Sequence, residues 1–420
     1  MLTHTQPTVI NRARLLERFL RYVQMDTTAD PHSENYPSSE GQRDLGRVLA
    51  SELQAMGADD VELDEHSLVY ATLPSTTEGD VPTIALVAHM DTSPEAPGSN
   101  VKPRVIDSYT KGDIKLAAGN AIRLEDYPDL ANMVGQTLVT TDGTTLLGGD
   151  DKAGVAIIME LAESLIEHPE LEHGEIRIVM TCDEEIGRGT DKINVDKLGA
   201  DVAYTVDGGG FGVVDEETFS ADGATVTFTG HNIHPAIAKG RMVNSIRAAG
   251  QFIALLPAQM DAPESTEGRD GFIHAYEIDG GVGKTTVRLI LRSFETHDLD
   301  DFAARIREYA HQAAEAVPGI NADVRIKKQY RNLRDGLTRI PESIDLVEKG
   351  FAKLGVACTR AIIRGGTDGS QLTEKGLPTP NLSSGQHNIH SVLEFANLDE
   401  MQLAGEHLVA LLGLWSEQKS

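Results

Sequence analysis

Three short apolar runs constrain this chain more than anything else in it: IALVAHM at 84–90, EIRIVMT at 175–181 and DVAYTVD at 201–207. A helical pattern at 154–167 (Val155, Ile158, Met159, Leu161, Ala162, Leu165) separates the first two. Strands alternating with helices predict an α/β sheet with parallel strands. Each run also leads into residues able to do chemistry: His89-Met90-Asp91, Asp183-Glu184-Glu185, and Asp207 before three glycines. Open α/β sheets bind ligands at the carboxyl ends of their strands.

The rest of the chain fills in around that sheet. Leu15, Leu16, Phe19, Leu20 and Val23 share one face of a helix expected at 9–24. Leu45, Val48, Leu49, Leu53 and Met56 do the same at 38–56, with Gly57 as the stop. After Gly208-Gly209-Gly210 the style changes. Residues 223–230 and 285–294 alternate as half-buried strands do, and helical patterns occupy 243–256 and 298–316. From about 331 the first style returns, with helices at 342–354 and 398–416 and a strand at 357–363. A chain of 420 residues exceeds one ordinary core. The expectation is a discontinuous catalytic domain, 1–214 and 331–420, with a doubly wound mixed sheet flanked by helices. An inserted α+β domain, 215–330, interrupts it.

Charge narrows the partners. Lys and Arg number 37 against 65 Asp and Glu, a formal −28, which argues against nucleic acid and anionic membranes. Two cysteines, Cys182 and Cys358, exclude a disulfide framework and suggest a reducing cytoplasm. No apolar run reaches membrane-spanning length, and the N-terminal stretch shows no secretory leader.

The chemistry concentrates at Gly148-Gly149-Asp150-Asp151-Lys152-Ala153-Gly154. Adjacent carboxylates repel, and a cation that neutralises one relieves the repulsion. One carboxylate has two oxygens and can join two ions. His89 and Asp91 sit at i and i+2 of a strand, on one face, so Asp91 is placed to orient the imidazole. Glu184, Glu185, Asp207 and His390 complete a candidate cluster. Imidazole and carboxylate without thiolate suit zinc, cobalt or manganese rather than calcium. Cys182 before the acidic pair reads as a small buried residue at a strand end, not a nucleophile. Gly280-Gly281-Val282-Gly283-Lys284-Thr285-Thr286 imitates a phosphate-binding loop, but Ile278 stands where the pattern needs glycine and an alternating strand follows where it needs a helix.

HMDTSP, TTDGTTLLGGDDKAG, DEEIGRG, AYTVDGGG, HNIHPAIAKGRMVN, IIRGGTDGSQL and HNIH follow one another along nearly the whole chain. In these motifs and their order the chain resembles the tripeptide aminopeptidase branch of the di-zinc aminopeptidase/aminoacylase/carboxypeptidase G family. The resemblance implies two zinc ions per subunit, with cobalt or manganese as substitutes. Asp150 would bridge them, His89 and Asp207 would complete one site, and Glu185 and His390 the other. Asp91 would orient His89, Glu184 would be the general acid/base, and the Asp150–Asp151 peptide would be cis. The implied reaction removes the N-terminal residue of a tripeptide through water shared by the two ions. The same metals would also serve a dipeptidase, a carboxypeptidase, an N-acyl amino acid deacylase, or a peptide-binding protein without turnover.

The resemblance further implies that His234 stabilises the oxyanion, against the alternative of a loop histidine ahead of Pro235. Arg292 and Arg364 would grip the peptide carboxylate, against the alternative of surface ion pairs, and Asn244 would add a hydrogen bond. A homodimer through the inserted domain is also implied. Cys182 stands where the family pattern has proline, a change expected to alter packing rather than chemistry.

Overall fold

The computed structural model describes residues 8–257 and 261–418; the first seven residues of the stretch read for a leader lie outside them. The fold is mixed α/β. Its large sheet runs in the order Asp59–Leu63, Val69–Leu73, Ile176–Thr181, Ile84–His89, Val202–Gly209, Asn381–His387, Phe395–Asn397, Leu138–Thr140 and Arg104–Ile106. The middle four strands are parallel to one another, and antiparallel strands extend the sheet on both sides.

Helices cover both faces. Neighbouring residues of a strand point to opposite sides. Tyr204 donates to Ser343 O at 2.9 Å and accepts from Trp415 Nε1 at 2.9 Å, against the helices Glu342–Lys353 and Leu398–Trp415. The next residue, Thr205, faces the short helix Asp368–Glu374, where a Cβ on Gly369 would lie 3.4 Å from its hydroxyl. The helix Gly149–Glu167 is almost wholly buried. Gly154 lets it sit directly on the strand Val202–Gly209, because a Cβ there would lie 2.0 Å from Val206 O. The helix Arg12–Val23 is tied to it through Glu160, which accepts from Asn11 N at 3.1 Å and from Arg14 and Arg18.

By compactness the chain forms two units. One holds the described residues up to Glu216, then Asp335–Ala361 and Thr367 onward; the other holds Glu217–Arg334 and Ile362–Gly366. The segment 362–366, read from the sequence as part of the first unit, groups with the second because Phe219 N donates to Ile363 O and Gly365 O. The second unit is a four-stranded antiparallel sheet in the order Phe272–Gly281, Lys284–Ser293, Ser220–Thr229, Asn321–Tyr330. Val287, Leu289 and Leu291 alternate onto one face, and pack with Val226, Phe228, Phe252 and Ile306 beneath the helices Ser245–Leu255 and Asp298–Glu315. The phosphate-loop imitation at 280–286 is the hairpin joining two of these strands.

His407 adds a pH dependence to the first unit. Its ring is buried, stacks on Phe351 at 3.7 Å and faces Val347 O at 3.0 Å through Nε2. Burial lowers its pKa from 6.5 to about 4. An unfolded chain therefore takes up this proton first, so stability present above about pH 6.5 is lost as the pH falls toward 4. The loss is expected to reach roughly 3 kcal/mol. Denaturant melts of the unmodified protein and His407→Gln from pH 7 to 4 check this; parallel curves for the two would contradict it.

Candidate metal centre

The five residues read as ligands come from five separate segments, and the fold brings them together. His89 ends its strand fully buried, with Nδ1 3.1 Å from Asp91 O and 3.4 Å from Asp91 Oδ1. Its Nε2 faces inward, 3.0 Å from Asp150 Oδ1 and 3.7 Å from Asp207 Oδ1. The other oxygen of Asp150 lies 3.3 Å from His390 Nε2, which is also 2.8 Å from Glu185 Oε2. Asp150 thus stands between the two imidazoles, one carboxylate oxygen toward each. The peptide bond from Asp150 to Asp151 is cis, and the helix becomes regular only after these two residues.

Asp91 does more than the sequence suggested. It is wholly buried, and its two oxygens accept from Glu184 N at 3.0 Å and Glu185 N at 3.1 Å. One residue therefore holds His89 through its main-chain O and, through its carboxylate, the turn that carries both glutamates. Asp183 anchors that turn from behind, accepting from Ser38 N and Gln42 Nε2 at 2.7–3.0 Å. The Asp151 oxygens accept from His89 N at 3.3 Å and Gly154 N at 3.1 Å.

The protein's own charges strain this cluster. Burial raises the Asp207 carboxyl to about 7 and the Glu185 carboxyl to about 8, with the Asp150 charge adding to both. Burial raises Glu184 well above the usual carboxylate range, and nearby Asp368, Asp207 and Glu185 push the same way. Burial would also raise Asp150, but His390 and His89 hold it below its ordinary value. Hydrogen bonds to Asp150 and Glu185 carry His390 up to about 11. Among the described residues, Glu185 Oε1 is buried without a hydrogen-bond partner. Ligand atoms of His89, Asp150 and Glu185, and of His89, Asp151 and Asp207, each lie within 4.8 Å of one another. Crowded buried carboxylates, an orphaned oxygen and two inward-facing imidazoles fit a divalent pair.

The four candidate substrate residues belong to the second unit. His234 and Asn244 cap helix starts, accepting from Ala236 N at 3.2 Å and Ile246 N at 3.0 Å. Arg292 donates to Asp222 O and Leu291 O and lies over the Tyr330 ring. Arg364 staples a loop, donating to Gly268 O, Asp270 O and Thr266 Oγ1 beneath Phe219 and Phe272. Three of its five N–H groups are therefore engaged internally.

Three residues escaped the sequence reading. Glu95 lies 3.2 Å from His390 Nδ1. Gln386 donates to Asp207 O at 2.8 Å and Oδ1 at 3.2 Å. Glu394 holds the loop ahead of Asp150. Only Glu394 left a signal, as a single acid inside the apolar stretch SVLEFA.

A family model described as a peptidase dimerisation domain matches residues 217–318, and one described as M42 glutamyl aminopeptidase matches 129–253. A Geobacillus kaustophilus protein named peptidase T is 44% identical over 411 residues, covering 97% of this chain and 100% of its own. The fold is similar to a tripeptidase from Staphylococcus aureus, with TM-score 0.77 and 23% identity over 98% of this chain and 100% of the other. It is also similar to a Bacillus subtilis protein described as a dinuclear metal-binding peptidase of the M20 family, with TM-score 0.66 and 15% identity over 97% and 98%.

Proposed function

This chain belongs to the peptidase T family and is a metal-dependent peptidase, and from that premise we propose that it releases the N-terminal residue of tripeptides at a di-zinc site. The observation that carries this reading is Asp150, with one oxygen toward His89 and the other toward His390. His89 and Asp207 would hold one ion, Glu185 and His390 the other, with Asp150 shared. A metal pair bound there supplies Lewis-acid polarisation of the peptide carbonyl and brings the pKa of water toward neutrality.

The chain's own groups do the rest. Asp91 fixes the turn through Glu184 N and Glu185 N, so the two side chains serve different tasks. Glu184 takes the proton of the attacking water and returns it to the leaving amine. His234 is assigned to the substrate by family resemblance, Arg292 and Arg364 because guanidinium grips a carboxylate bidentately, and Asn244 as a further hydrogen-bond partner. A homodimer through the second unit is part of the same reading. Its support is the match of 217–318 to a dimerisation domain and the exposed Tyr276 and Ile278 on the edge strand Phe272–Gly281. Sedimentation of the purified protein as a monomer would count against that dimer.

Substrate competition tests the function. Zinc-loaded protein is expected to cleave free-amine tripeptides in preference to dipeptides and N-acyl amino acids, and Arg292→Ala to raise KM. Preference for N-acyl substrates would replace the aminopeptidase reading with a deacylase.

A further inference from the structure

We propose that Glu394 is a positioning residue that forms the metal-binding loop before any metal arrives. Glu394 is 1% exposed. One oxygen accepts from Leu147 N at 2.7 Å and Gly148 N at 2.8 Å; the other accepts from Asp150 N at 3.0 Å. Three backbone donors of a tight turn, at 147, 148 and 150, thus converge on one side chain, the kind of backbone nest that holds an anion. Gly149 leaves room for the close approach: a Cβ there would lie 3.1 Å from Glu394 Oε1 and the carboxylate would have to give way. Gly148 makes the turn itself, at φ +80°.

Glu394 is also four residues beyond His390. The stretch between them is closed on itself: Glu394 N donates to Ser391 O, Leu393 N to Ser391 Oγ, and Asn388 Nδ2 to Leu393 O. His390 rides on this loop at φ +59°. One carboxylate therefore joins the segment that presents Asp150 to the segment that presents His390. A glutamate serving only to fill the core would not need both oxygens directed at the backbone of a ligand loop. The inference rests on the reading that Asp150 and His390 hold metal.

Glu394→Gln keeps the size of the side chain but turns an N–H₂ toward N–H donors, so part of the clamp is lost. Zinc affinity, read by competition with a chromophoric chelator, is expected to fall roughly 10–100-fold while circular dichroism stays native. Gly350→Ala is the control. It crowds His407, with its Cβ 2.9 Å from Nε2, and is expected to lower the melting temperature without moving zinc affinity. Unchanged zinc affinity in folded Glu394→Gln would overturn the proposal. Hydrogen exchange on the unmodified, metal-free protein decides the matter even if that variant does not fold. The amides of Leu147, Gly148 and Asp150 are expected to stay protected, and exchange at the rate of free chain would overturn the clamp. If the unmodified protein binds no zinc, the metal reading fails, while the exchange result still judges Glu394.

Discussion

Glu184→Gln is expected to lower kcat by roughly 10²–10⁴-fold while zinc content stays that of the unmodified protein. Glutamine matches glutamate in size, and the turn is held from the backbone by Asp91 through Glu184 N and Glu185 N. The shape of the site therefore survives, and what disappears is a group that can accept a proton. The neighbouring residue supplies the contrast. Glu185 reaches His390 at 2.8 Å, so Glu185→Gln is expected to lose metal along with activity. Turnover and zinc content measured together on both variants separate proton transfer from metal binding. A fully active Glu184→Gln would move the base elsewhere.

The second large effect is on stability. Removing metal leaves Asp207 and Glu185 buried among carboxylates, which is why their pKa values rise to about 7 and about 8. A cation bound to the folded form alone stabilises it by RT ln(1 + [L]/Kd), about 4 kcal/mol for each site at a thousand times Kd. Chelator is therefore expected to lower the melting temperature strongly, and excess zinc to restore it. Identical melting curves with and without chelator would mean that the cluster holds its charges by protonation instead.

The strand ends carried most of what could be read in advance. Apolar runs at 84–90, 175–181 and 201–207 became adjacent parallel strands, and the acids and imidazole that follow them meet in space. The strand Asn381–His387 left no such trace: NLSSGQH is buried but polar, because its side chains bond to neighbouring strands and loops, as Ser383 does with Val213. Phe272–Gly281 was obscured because as an edge strand it exposes much of its length. The role of Asp91 as an acceptor for Glu184 N and Glu185 N depends on segments 93 residues apart, a distance that spacing cannot bridge. Arg364, read as gripping the peptide carboxylate or as a surface ion pair, has three of its donors taken by two loop carbonyls and the Thr266 hydroxyl.

Anomalous diffraction at the zinc edge, from crystals grown without chelator, tests the central claim most directly. Two peaks are predicted on opposite sides of the Asp150 carboxylate, one among His89, Asp150 and Asp207 and the other among Asp150, Glu185 and His390. No peak at Asp150, or zinc only at distant surface residues, would contradict a shared two-ion site.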